Sequence, residues 1–117
     1  MTRAELDDER LDETTWLVAI TGELDSISAI HLRRRVDAVL GAGQSKVVID
    51  LTALTHMDSS GLGELISCHQ RALGLQGGLA LVVGSAAVRR TLEIRGVNQL
   101  FTIVASRDEA VAALSGD

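Results

Sequence analysis

The 117-residue chain contains no proline, one cysteine (Cys68), one lysine (Lys46) and two aromatic residues other than histidine, Trp16 and Phe101. A single cysteine cannot close an internal disulfide. The opening MTRAELDDER is too charged for the apolar stretch of a secretory signal, so a cytoplasmic protein is expected. With so few aromatics the core must be aliphatic, and no platform exists for stacking bases or sugars. Long apolar runs are also missing: Leu79 to Val83 is far short of the roughly 20 residues that cross a bilayer, so no membrane partner is expected. Positive charge is scarce as well. Eleven basic against sixteen acidic residues leave a formal net charge of −5, the wrong sign for gripping nucleic-acid phosphates. The one basic cluster, Arg33-Arg34-Arg35, falls in a helical pattern and reads as a solvated face.

What is present fits one domain over residues 1–117, since 46% hydrophobic and 23% charged residues are ordinary globular usage. Residues 16–21 form a short β-branched run stopped by Gly22, and Thr2 to Arg10 alternates weakly enough to pair with it as an edge hairpin through Asp12-Glu13-Thr14. From Ile27 to Leu40 the apolar positions 32, 36, 39 and 40 mark a helix, with Asp25 or Ser26 as its cap and Gly41 as its stop. Lys46 to Leu51 lacks polar alternation, as a strand covered on both faces should. Leu62, Leu65, Ile66, His69 and Leu73 mark a second helix starting near residue 60. Leu79 to Val83 is another buried strand. Ser85 opens a third helix that stops at Gly96, Phe101 to Val104 is a last short strand, and Ser106 with Glu109 forms a capping box for a terminal helix. The class is α/β: a mixed, mostly parallel sheet of four to five strands with four helices packed on it.

Enzymatic chemistry finds no support. Ser59-Ser60-Gly61-Leu62-Gly63 is neither a G-x-S-x-G elbow nor a phosphate-binding loop, because no Gly-Lys-Ser/Thr follows. His31, His56 and His69 are scattered, and adjacent Cys68 and His69 point about 100° apart on a helix, so no metal site or cofactor is expected. Cys68 reads as a small buried hydrophobe and His69 as a hydrogen-bonded packing residue. The informative stretch is the loop from Thr52 to Gly63, at the carboxyl end of a buried strand, where open α/β sheets meet ligands and partners. Its two serines have two readings that the residues leave open. They cap the free N–H groups of the helix, or Ser59 accepts a phosphate there and repels a docked partner.

Three segments carry a family resemblance: Thr21-Gly22-Glu23-Leu24-Asp25, Val48-Ile49-Asp50-Leu51, and Met57-Asp58-Ser59-Ser60-Gly61-Leu62-Gly63. In order and spacing the chain resembles the STAS family, and within it the stand-alone bacterial anti-sigma factor antagonists. The resemblance implies a non-enzymatic switch whose partner is an anti-sigma factor with a GHKL-type serine kinase fold. Unphosphorylated protein captures that partner and frees its sigma factor, phosphorylation of Ser59 releases it, and a PP2C-type phosphatase resets the switch. On this reading Asp25, Met57, Asp58, Ser60, Gly61 and Leu62 line the partner-binding surface, with Ser60 as the helix cap and Met57 and Leu62 either as apolar anchors or as plain packing residues. Two alternatives are a non-switching STAS scaffold or ligand sensor of stressosome type, and a receiver-like domain phosphorylated on Asp50 or Asp58. A receiver would also need a lysine at the end of a late strand, whereas Lys46 begins one.

Overall fold

A hairpin opens the fold, joining β1 (Glu5–Arg10) to β2 (Thr15–Leu24) in antiparallel register from Glu5 opposite Thr21 to Arg10 opposite Trp16. Asp12 makes the turn by accepting the Thr14 N–H at 2.9 Å. The computed structural model describes residues 4–115, so the first residues of the stretch expected to pair with β2 lie outside the described ones. There follow α1 (Ser26–Gly41), β3 (Lys46–Asp50), β4 (Leu54–Met57), α2 (Ser59–Gly74), β5 (Gly78–Val82), α3 (Ala86–Ile94), β6 (Thr102–Val104) and α4 (Arg107–Leu114). The sheet runs β1-β2-β3-β5-β6, antiparallel at its first pair and parallel thereafter.

The class is the expected one, but the sheet has six strands. The additional strand is β4, which pairs parallel with the last residues of β2 beyond a register shift at Gly22 and Glu23. Its sequence, Leu-Thr-His-Met, buries its two ends and exposes its middle. That pattern has no period of two, so it reads as loop.

Both faces of the sheet are covered, which explains why β3 is apolar without interruption. Val47 and Ile49 point to the larger core with Val18, Ile20, Leu79 and Leu81, under α1, α2 and α3. Val48 points the other way and joins Leu17, Ala80, Val82 and Ala110 beneath α4. Each fully buried aliphatic side chain contributes about 1.5–3 kcal/mol, so packing rather than helix propensity holds the helices in place.

The expected capping box at α4 forms by half. Ser106 Oγ accepts the Glu109 N–H at 3.2 Å, while the Glu109 carboxylate takes the Ser106 hydroxyl rather than its backbone N–H. A complete box stands at α1 instead: Asp25 Oδ1 accepts the Ser28 N–H at 3.0 Å and Ser28 Oγ accepts the Asp25 N–H at 2.8 Å. The chain leaves α2 through Gln76 at φ 62°, and Gly77 is required just after it because a Cβ there would lie 1.8 Å from the Ser45 carbonyl oxygen. On α1, Arg33, Arg34 and Arg35 are exposed, Arg33 facing Asp37 and Arg35 bonding Asp8 across to β1.

Candidate functional site

Because β2 and β4 run parallel and end side by side, each delivers the chain into a helix at the same edge of the sheet. β2 passes through Asp25 into α1, and β4 passes through Asp58 into α2. These two helix starts are locked together: the Asp58 N–H donates to the Leu24 carbonyl at 3.1 Å, and Gly61 sits flat on the same carbonyl. Two helix N-termini therefore emerge beside one another, each capped by a carboxylate. Asp25 accepts the Ile27 and Ser28 N–H groups at 3.0 Å each, and Asp58 accepts the Gly61 N–H at 3.0 Å. The Ser28 N–H first, then its hydroxyl, hold the Asp25 carboxyl below the usual carboxylate range.

Capping of α2 thus belongs to Asp58, which corrects the assignment of that role to Ser60. An aspartate cap of this kind is worth about 1 kcal/mol and complements the positive helix end. Ser59 and Ser60 are the first two residues of α2, and both are exposed. Among the described residues neither hydroxyl makes a hydrogen bond. Their backbone N–H groups have no capping side chain, since Asp58 reaches only Gly61.

Of the two readings left open for Met57 and Leu62, the structure favours packing, and the surface role expected of Gly61 is corrected. Met57 is 6% exposed and Leu62 is 7% exposed, and both belong to the main core, so neither is an apolar anchor at the surface. Position in a motif does not fix direction: Met57 is the inward end of β4, and Leu62 shares the buried stripe of α2 with Leu65. Gly61 is likewise buried against Leu24 and offers no surface to a partner. The exposed members of the segment are Ser59 and Ser60, with Asp25 and Asp58 half-buried at their side. Exposed apolar side chains do lie nearby where sequence reasoning passed over them. Ile27, 68% exposed, and Ile30 sit on the first turns of α1. Their signal was available, because both fall on the opposite side of the helix from the 32, 36, 39, 40 stripe.

Asp50 has both carboxylate oxygens engaged. It is buried at the end of β3, with one oxygen accepting the Thr52 N–H at 2.9 Å and the Thr52 hydroxyl, and the other accepting Arg107 Nε at 2.8 Å. Arg107 also bonds Glu9 at 3.0 Å, tying α4 to β3 and β1. Asp58 is engaged as a cap, and Lys46 stands at the other end of β3 from Asp50, so the residues a receiver needs are not assembled.

The Asp50 cluster sets an acid dependence. Burial raises the pKa of Asp50, but the Thr52 hydroxyl and N–H and the Arg107 guanidinium outweigh it and leave the group lowered. A lowered folded-state pKa contributes stability that is complete above the unfolded value of about 3.9 and is lost as pH falls through the folded value. Replacing Arg107 by alanine is expected to lower the melting temperature at pH about 7 by on the order of 2–5 °C, a modest figure because Arg107 is half exposed. Melts repeated down to pH about 3 should show that gap closing. A gap that widens toward acid would contradict the assignment.

Burial pushes the Cys68 thiol up to about 12, opposed in part by Arg71, which leaves it protonated and unreactive. His69 is buried edge-on to Phe101, ring centroids 5.4 Å apart. It packs in the core as expected, but the hydrogen bond expected of it is not there: its buried Nδ1 has no partner among the described residues. His56 lies in β4 opposite Glu23, and His31 is exposed on α1. Among the described residues no cluster of His, Cys, Asp and Glu could hold a metal ion, and no helix is long and apolar enough to cross a membrane.

Comparison with known proteins places this geometry. The STAS domain profile matches residues 7–110. An anti-sigma F factor antagonist of Paenibacillus polymyxa is 31% identical over 100 residues, covering 85% of this chain and 83% of the relative. The crystal structure of an anti-sigma factor antagonist from Mycobacterium paratuberculosis superposes with a TM-score of 0.85 at 27% identity, covering 96% of this chain and 94% of that one. The Bacillus cell fate determinant SpoIIAA, solved in unphosphorylated and phosphorylated forms, shares the fold at TM-scores of 0.76 and 0.72 and identities of 22% and 20%. The unphosphorylated form covers 97% of this chain and 100% of its own, the phosphorylated form 93% and 98%.

Proposed function

The chain belongs to the STAS family, and on that premise we propose that it is a cytoplasmic anti-sigma factor antagonist, a single STAS domain switched by phosphorylation of Ser59. The observation that carries the proposal is an exposed Ser59 hydroxyl, free of internal hydrogen bonds, at the start of a helix whose cap is supplied by its neighbour. Because Asp58 does the capping, esterifying Ser59 removes no structural bond. The added phosphate finds the uncapped N–H groups of the first turn and the positive helix end within reach.

The kinase of this proposal is the partner itself, an anti-sigma factor with a GHKL-type serine kinase fold, as the family resemblance implies. Unphosphorylated protein docks through the surface around Ser59, Ser60, Asp25 and Asp58 and displaces the sigma factor. The phosphorylated form, carrying about −1.5 to −2 further charges beside two carboxylates, dissociates. A PP2C-type phosphatase restores it.

The test is incubation of the purified chain with ATP and each GHKL-type anti-sigma kinase of the source genome, followed by intact mass and peptide mapping. One hydroxylamine-stable phosphate on Ser59 is expected, and none on Ser59→Ala. Hydroxylamine-labile phosphate on Asp50 or Asp58 would favour a receiver, and failure of every kinase to transfer would favour a non-switching scaffold.

A further inference from the structure

The geometry points to a second half of the docking surface on the outer stripe of α3 and the exposed middle of β4, shaped for a partner segment that presents a carboxylate beside an aliphatic side chain. It rests on the proposed function, since it names the chemistry with which that partner meets this chain.

At about 100° per residue, Ala87, Arg90, Thr91 and Ile94 share one flank of α3, the spacing i, i+3, i+4, i+7 of a helical face. In a globular domain that spacing marks the buried face, but here the inward positions are Val88 and Leu92. The second stripe is left facing solvent, and its Ile94 is 71% exposed. Ala87 and Thr91 border a shallow cleft of about 50 Å³ whose other wall is Thr55 and His56 of β4. A cleft of that size is far below the several hundred Å³ that enclose a small molecule, so its use is to seat a side chain of a larger partner. Because β4 runs directly into Asp58 and Ser59, the cleft and the phosphorylation site lie on one continuous stretch of chain.

Charge says what the partner brings. The protein carries a net −5, and Arg33, Arg35, Arg71 and Arg107 are each matched by an acidic side chain. Arg90, like Arg10, Arg34, Arg89, Arg95 and Lys46, makes no ion pair among the described residues, and what sets it apart is its place within the exposed stripe that ends at Ile94. The surface is therefore bipolar, with carboxylates at Asp25 and Asp58 and an unmatched guanidinium beside an exposed isoleucine on α3. A partner docks in one orientation on such a face, setting an acid over Arg90 and an apolar side chain against Ile94.

The test measures binding of the full chain to the anti-sigma kinase that phosphorylates it, at salt concentrations of about 0.05 and 0.3 M. Arg90→Glu should weaken binding about tenfold or more at the lower salt, with a smaller difference at the higher. Ile94→Asp should weaken it at both. Arg89→Glu, the same charge change on the other flank of the same helix, should stay within about twofold. All three positions are exposed, and unchanged thermal melts would confirm that the variants fold. If Arg90→Glu and Ile94→Asp bind like wild type while Ser59→Asp does not, this surface is refuted and the switch stands. Loss in Ile94→Asp alone refutes an acidic partner segment. If no kinase binds or modifies the wild-type chain, the functional reading and this inference fall together.

Discussion

Gly61→Ala is expected to destabilise the domain by about 3 kcal/mol, lowering its melting temperature by on the order of 10–15 °C. A Cβ at that position would lie 2.4 Å from the Leu24 carbonyl oxygen and 2.6 Å from Leu24 Cγ. The side chain cannot swing clear, because Leu24 is fully buried, and the carbonyl is held by the bond it accepts from the Asp58 N–H. Relief therefore requires α2 to back away from β2, which stretches that bond and pulls the Asp58 cap from its helix. Gly63, two residues on, has no atom within 4 Å of its would-be Cβ, so Gly63→Ala should be neutral or stabilising by up to about 1 kcal/mol. Thermal melts of the two variants make the comparison. Equal melting temperatures would mean that the close approach of α2 to Leu24 is not what holds the site together.

That contact illustrates where the sequence is legible and where it is not. The helices and the longer strands announce themselves through local spacing: the 32, 36, 39, 40 stripe of α1, the unbroken Val47-Val48-Ile49, the cap at Ser85. The motif Asp58-Ser59-Ser60-Gly61 likewise stands at a helix start, as its residue types suggest. Direction and long-range pairing are not visible. Capping passes to Asp58 because the helix begins at Ser59, one residue before the start expected near residue 60. Met57 turns inward because β4 exists, and β4 exists because the end of β2 continues past β3 and needs a partner; two apolar residues separated by Thr55 and His56 give no hint of that. The Asp50 to Arg107 bond joins residues 57 apart in sequence, and each end alone looks like an ordinary surface charge. The motif's chemistry is thus readable from residue types, whereas the division of labour between exposed Ser59 and buried Gly61, Leu62 and Met57 depends on packing against Leu24.

Phosphorylation of Ser59 is expected to weaken binding to the anti-sigma kinase by at least about a hundredfold, Ser59→Asp by about tenfold, and Ser59→Ala by no more than about threefold. A hundredfold change corresponds to about 2.7 kcal/mol. In the free protein the phosphate is hydrated, and its repulsion by Asp25 and Asp58 is damped by water and salt. Docking removes that water. Like charges between about 4 and 10 Å apart repel by about 2–4 kcal/mol at an effective dielectric constant near 20, and a doubly charged group beside two carboxylates meets this penalty more than once. Desolvating the phosphate adds several kcal/mol unless the partner supplies cations to meet it. The required loss is thus a fraction of the available penalty, and aspartate, with one charge on a shorter arm, takes a smaller share. The scaffold should be nearly indifferent: the Ser59 hydroxyl makes no internal bond, and a new anion at the start of α2 meets a favourable helix end, so the melting temperature of Ser59→Asp should stay within about 5 °C of wild type. Calorimetric titration of the three proteins against the kinase, with melts of each, separates the two effects. Equal affinity of the alanine and aspartate variants would rule out an electrostatic switch, and loss of affinity accompanied by collapse of the melting temperature would show that the fold, rather than the docking face, had changed.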